Sequence, residues 1–173
     1  MKKIFIIIIG YCCVFGCKQP NHQIKEHLEG FIGTEITIPE NLLLFNDTNH
    51  HIKKEAKYKV ISYIDSLSCT SCHLNLSIKV WTTLLKNFGD KDFSLFVIVQ
   101  TQDIEGFRML LDSYKQDIPF FVDYYGDFKN SNNFPSEEIF HTFLLRDDTV
   151  ILAGAPSDKS KLFELYKREI SKN

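Results

Sequence analysis

Hydrophobic and polar positions alternate along this chain in two distinct periods. Lys59-Val60-Ile61-Ser62-Tyr63-Ile64-Asp65 and Phe93 to Val99 are β-branched and aromatic, the composition of buried strands. Between them Leu74, Ile78, Trp81, Leu85 and Phe88 recur at steps of four, three, four and three, which predicts one apolar face of a helix ending near Gly89. Asp103 is the expected N-cap of a second helix with Phe107, Leu110, Leu111 and Tyr114 turned inward. Pro119 to Asp123 reads as a short extended piece. Thr142 to Leu145 and Thr149 to Ala153, separated by Arg146-Asp147-Asp148, predict a hairpin. A closing helix is expected with Ser157 or Asp158 as its cap and Leu162, Phe163, Tyr166 and Ile170 on its apolar side.

Upstream, Ile36 to Ile38 and Leu42 to Phe45 are apolar runs short enough for a strand and a covering segment. Asn46 to Lys57 is polar and turn-rich; its His50-His51 pair has no cysteine or carboxylate at ligand spacing, so an exposed loop is expected there. Strands alternating with helices imply parallel pairing, and the terminal hairpin adds antiparallel strands. The fold class is therefore α/β, with a central mixed sheet flanked by helices on both faces.

At 173 residues and 44% apolar composition the chain suits one domain and an address segment. Lys2 and Lys3 precede the apolar run Ile4 to Ile9, and Val14-Phe15-Gly16-Cys17 closes it, the layout of a secretion signal over 1–16. Only about twelve mostly apolar residues separate Lys3 from Gly16, against the roughly twenty of a bilayer span. Residues 17–34 are polar and Gly-punctuated and read as a tether, leaving 35–173 as the domain. Without residues 1–16 the chain carries 18 Lys+Arg against 22 Asp+Glu, scattered over its length. No basic face marks a nucleic-acid binder.

Five cysteines reduce to one pair. Cys12 and Cys13 lie inside the signal and Cys17 at its end, so Cys69 and Cys72 remain in the domain, at the junction between a strand and a helix. A structural disulfide closing so short a loop constrains the unfolded chain little. A structural zinc site needs four ligands, and no second cysteine pair exists. Dithiol chemistry fits best: the unpaired N–H groups and positive dipole of a helix N-terminus stabilise a thiolate. Cys69 is placed as the attacking thiol and Cys72, one turn on, as the resolving thiol. An inert disulfide and a metal site are the alternatives.

The strand Val60 to Asp65, Cys69-Thr70-Ser71-Cys72, the helix behind it and the Thr142 to Ala153 hairpin together resemble the thioredoxin fold over residues 55 to 173, and most of all the TlpA/ResA-type lipoproteins and periplasmic redoxins. Val-Phe-Gly-Cys likewise resembles the bacterial lipobox, which implies a diacylated Cys17, a membrane anchor and an extracytoplasmic, periplasmic-side location; Phe15 is bulkier than usual there, and a plain cleaved signal is the alternative. The resemblance implies a thiol-disulfide oxidoreductase without a cofactor, acting on protein disulfides or dithiols and exchanging electrons with a redox partner. The peroxiredoxin pattern Pro-x-x-x-Thr-x-x-Cys does not fit, since Asp65 and Cys69 stand where Pro and Thr are required.

Two departures from the family are visible. Tyr63 occupies the position of its buried carboxylate, six residues before the first cysteine, leaving Asp65 as a substitute for tuning the thiol pKa or as an ordinary strand-end residue. Phe140 occupies the position of the cis-proline opening the hairpin in the substrate-facing loop, with Pro135 too far upstream to replace it, and Phe140 is expected trans. His141 beside it either faces the cysteines, tuning Cys69 or completing a copper or zinc set with Cys69 and Cys72, or turns outward from the strand edge. That second possibility makes a thioredoxin-like binding module or metal carrier the rival function. Trp81 is expected in the core. Tyr124, Tyr125, Phe128 and Phe134, in a polar, Asn-rich loop, are less easily buried; they either line a partner surface or have no role beyond the loop itself.

Overall fold

A computed structural model describes residues 29–45, 52–114, 117–132 and 141–172. Its strands are β1 (Leu43–Leu44), β2 (Tyr58–Ile64), β3 (Phe93–Val99), β4 (Phe120–Val122), β5 (Thr142–Arg146) and β6 (Thr149–Ala153). Its helices are α1 (Thr70–Phe88), α2 (Ile104–Tyr114), α3 (Asp127–Asn132) and α4 (Lys161–Ile170). They build one mixed sheet in the order β1-β4-β3-β2-β5-β6. β2, β3 and β4 run parallel, and β1, β5 and β6 pair antiparallel.

The period-2 alternation of β2 and β3 decides which residues share a core layer. Val60, Ile64, Leu95, Val97 and Val99 meet Leu74, Trp81, Leu84, Leu85 and Phe88 of α1, with Phe107 of α2 and Phe163 and Tyr166 of α4, on one face. Ile61, Tyr63, Phe96 and Ile98 join Phe121, Phe128 and Phe143 on the other, under Ile36 and the partly buried Phe31, Ile38 and Leu42. Trp81 packs edge-on to Phe120, as a core residue. Each such large apolar side chain contributes about 1.5–3 kcal/mol through burial.

Several elements differ from the sequence expectation. Ile36 to Ile38 forms no strand: Ile36 is buried, and Glu35 makes a single bridge to Thr149. The Leu42 to Phe45 run supplies strand β1 instead, because antiparallel pairing with β4 satisfies its backbone. The extended piece at Pro119 to Asp123 is a true sheet member between β1 and β3. Helix α3 had no expected counterpart, and it places Phe128 in the core rather than on a partner surface.

The last helix starts later than expected, with Ser160 as its N-cap accepting from the Phe163 N–H at 3.1 Å. Residues 157–160 form a turn with Lys159 at φ 60°, so neither Ser157 nor Asp158 caps the helix. The packed region also begins upstream of residue 35, since Gly33 donates to Val150 O and the Phe31 ring lies 5.5 Å from that of Phe143. The hairpin turn uses Asp147 and Asp148 at φ 48° and 63°, the positive-φ pair a two-residue connection requires. Cys17, His50, His51, Phe134, Pro135 and Phe140 lie outside the described residues.

Candidate functional site

β2 ends at Ile64 and the chain turns sharply into α1, which puts Cys69 at the N-cap and Cys72 in the first turn. The two cysteines are disulfide-bonded, with Cα atoms 5.3 Å apart. The Cys69 carbonyl accepts the His73 N–H at 3.1 Å, closing the first helical turn. The Ser71 hydroxyl lies 3.5 Å from Cys69 Sγ. No acidic residue stands in that turn, so the positive end of a helix of 19 residues acts on the sulfurs without a local negative charge on the helix itself. Both cysteines are exposed.

Asp65 shapes the turn that carries them. Its Oδ1 accepts the Leu67 N–H at 3.0 Å and the Ser68 hydroxyl at 2.8 Å, and its Oδ2 meets Lys129 Nζ of α3 at 3.3 Å. Burial alone would raise its pKa, but the Ser68 and Leu67 hydrogen bonds and the Lys129 ammonium outweigh that and hold the carboxyl below its usual range. Asp65 is therefore ionised at neutral pH, as a turn-forming acceptor.

Tyr63 is buried, and its hydroxyl donates to Gln100 Oε1 at 2.8 Å. Burial first, then the carboxylates of Asp123 and Asp65, push its phenol pKa up, so it stays protonated. Asp123, at the end of β4, is buried and accepts from the backbone N–H groups of Gly126, Asp127 and Phe128, fixing α3. Gly126 has φ +78°, and a Cβ there would approach Gln100 Nε2 to 2.6 Å, so only glycine leaves Gln100 its place.

The structure buries His141 rather than turning it outward. Its ring lies edge-on to Tyr63 at 5.5 Å between centroids, and its carbonyl accepts the Tyr63 N–H. Tyr63 belongs to the core layer away from α1. Among the described residues no three His, Cys, Asp or Glu side chains gather as a metal-binding group, so Cys69, Cys72 and His141 do not assemble one.

Sequence reasoning missed Gln100, Asp123 and Lys129. Asp123 had a readable signal, an aspartate three residues before Gly126 and within capping distance of a helix start; Gln100 and Lys129 had none, since their roles come from distant partners. Around the cysteines the surface is apolar in part, with Leu67 90% and Leu76 77% exposed on either side of the pair in sequence. A cleft of about 300 Å³, lined by residues such as Glu35, Lys54, Lys59 and Asp148, lies at the end of β2 away from the cysteines. Its buried Lys59 is paired to Asp148 at 2.5 Å, a structural tie.

No family model matches the chain, and no curated protein matches it in sequence. Solved structures do match in shape. The thioredoxin domain of a thiol-disulfide oxidoreductase from Bacteroides vulgatus superposes with a TM-score of 0.53 at 15% identity, covering 67% of this chain and 81% of that one. A protein from Chlorobium tepidum described as a thiol:disulfide interchange protein DsbE gives 0.57 at 11% identity, over 80% and 98%. StoA from Bacillus subtilis gives 0.51 at 12% identity, over 76% and 98%. At these identities the likeness establishes the fold, which is thioredoxin-like.

Proposed function

Proceeding from that fold, we propose that this protein is a thiol-disulfide oxidoreductase of protein substrates, held outside a bacterial cytoplasm by a lipid on Cys17. The observation that carries the reading is the placement of Cys69 as the N-cap of α1 with Cys72 one turn on, both open to solvent. The structurally similar proteins from Bacteroides vulgatus and Chlorobium tepidum, described as a thiol-disulfide oxidoreductase and a thiol:disulfide interchange protein, support it. Exposed Leu67 and Leu76 give a protein partner apolar surface to cover.

The exchange runs in two displacements. In the reduced protein the Cys69 thiolate, favoured by the helix N-terminus, attacks one sulfur of a substrate disulfide; a Cys69–substrate S–S bond forms, and the other substrate sulfur leaves as a thiolate and takes a proton. Cys72, having lost its proton to water, then attacks Cys69 Sγ and expels the second substrate sulfur. Two electrons pass to the substrate and the Cys69–Cys72 disulfide remains. A dithiol protein returns it to the reduced state by the reverse route. Tyr63, held protonated, is not the proton acceptor in this scheme, and the partners that lower the Asp65 pKa make its carboxylate a weak one.

Thiol trapping across a redox-buffer series tests the proposal. A reversible two-thiol transition is expected, with Cys72→Ser accumulating a mixed disulfide and Cys69→Ser accumulating none. A pair that stays oxidised below about −300 mV is a structural bond, and the proposal then fails.

A further inference from the structure

Next to the start of α1 lies a cleft of about 460 Å³, lined by residues that include Ser66, Thr70, Gln100, Thr101, Tyr124 and Tyr125. It opens between the loops that follow β2, β3 and β4, at the carboxyl ends of the three parallel strands, where crevices of α/β sheets bind ligands. Thr70 follows Cys69 directly in the chain, so the cleft adjoins the helix start that carries the disulfide.

From this cleft we infer that the protein holds an extended segment of its substrate polypeptide there, uncharged or basic next to the exchanged cysteine; the inference rests on the redox reading above. Three features choose that occupant. The walls are hydroxyls, amides and two tyrosines, the composition by which protein surfaces grip polypeptide backbone with little entropy loss. Tyr125 is 72% exposed and Tyr124 stacks edge-on to it at 5.0 Å, so the pair stands as a preformed wall.

An adjoining hollow of about 190 Å³ shares Thr70, Thr101 and Asp103 and continues to Phe107 and Leu110, room for one apolar side chain. The charge completes the choice. Among the lining residues Asp103 alone carries a carboxylate and none carries a cationic side chain, and Asp65 and Asp123 follow β2 and β4, with Lys129 paired to Asp65. An acidic segment, or a small thiol such as a tripeptide bearing two carboxylates, meets net repulsion there.

Gln100 is a positioning residue in this arrangement. Its backbone N–H donates to Ile64 O at 2.8 Å and its side chain receives the Tyr63 hydroxyl, so this lining residue, which follows β3, is tied to the end of β2 by both bonds.

The test measures binding without sulfur chemistry, so it separates this inference from the redox reading. The full-length oxidised protein in detergent is titrated with two rhodamine-labelled hexapeptides, each with leucine and with serine in place of cysteine, one carrying two lysines and the other two glutamates. The basic peptide is expected to bind about fivefold more tightly at low salt, with the difference shrinking as salt is added. Tyr125→Ala is expected to weaken both peptides roughly fivefold and Tyr125→Phe to retain binding. Asp103→Asn keeps an oxygen to accept the Gly106 N–H that Asp103 now accepts at 2.9 Å, and is expected to erase the preference. Equal binding of the two peptides, or Tyr125→Ala affinity within twofold of wild type, overturns the inference even if thiol trapping succeeds. Failure of thiol trapping with selective peptide binding instead overturns the redox reading alone.

Discussion

Lys129 carries more than its surface position suggests. It is the cation that meets Asp65, a buried carboxylate whose other oxygen holds Leu67 and Ser68 in the turn before Cys69. Removing one partner of such a pair leaves a buried charge without compensation. Lys129→Met is expected to cost about 1–2 kcal/mol at pH 7, below the range for fully buried pairs because the ammonium is a third exposed. The sign with pH follows from the depressed folded pKa. The stability that the Asp65 contacts supply is fully present above its unfolded value of 3.8 and is lost as the pH falls through the lower folded value. Urea unfolding of both proteins between pH 7 and pH 2.5 should show the gap narrowing only in that acidic range; a constant gap would mean that Lys129 acts through packing alone.

At the scale of elements, the reactive site is a property of the junction between β2 and α1. The strand is buried along its whole length, and α1 is anchored by Leu74, Trp81, Leu84 and Phe88, so neither depends on the disulfide for its place. The loop that the disulfide closes, with a sequence separation of 3, is too short to restrict the unfolded chain greatly. Chain-entropy arguments give about 2 kcal/mol for it. Reduction by dithiothreitol is therefore expected to leave a cooperatively folded protein less stable by about that amount, read from urea unfolding monitored by Trp81 fluorescence. Loss of cooperative unfolding on reduction would make the disulfide a structural staple.

For the whole molecule, the proposed anchor gives the domain an orientation towards partners in one membrane plane. No helix among the described residues is long and apolar enough to span a bilayer. The proposed anchor is the lipid on Cys17, at the end of Val14-Phe15-Gly16-Cys17. Growth with radiolabelled palmitate is expected to label the membrane-fraction protein, and Cys17→Ser to lose the label and the membrane fractionation together. Retention of Cys17→Ser in the membrane without label would assign attachment to residues 1–16 instead.

Pattern alone determined β2, β3, the hairpin, α1, α2 and the placing of Cys69 and Cys72 at a helix start, because these depend on short-range periodicity and on covalent neighbours. Leu74, Trp81 and Phe88 could be read as core from spacing, and Asp103 as a cap. What tertiary structure alone decided depends on partners far apart in the chain. The Leu42 to Phe45 run becomes strand β1 only because β4 offers a free edge, and Phe128 is buried only because Asp123 caps a helix that turns it inward. Asp65 is committed to its ionised form by Lys129, 64 residues away, as well as by its own turn. His141 meets Tyr63 because the antiparallel register of β2 and β5 brings them together. The cleft beside Cys69 is assembled from three loops whose only common cause is that β2, β3 and β4 end side by side.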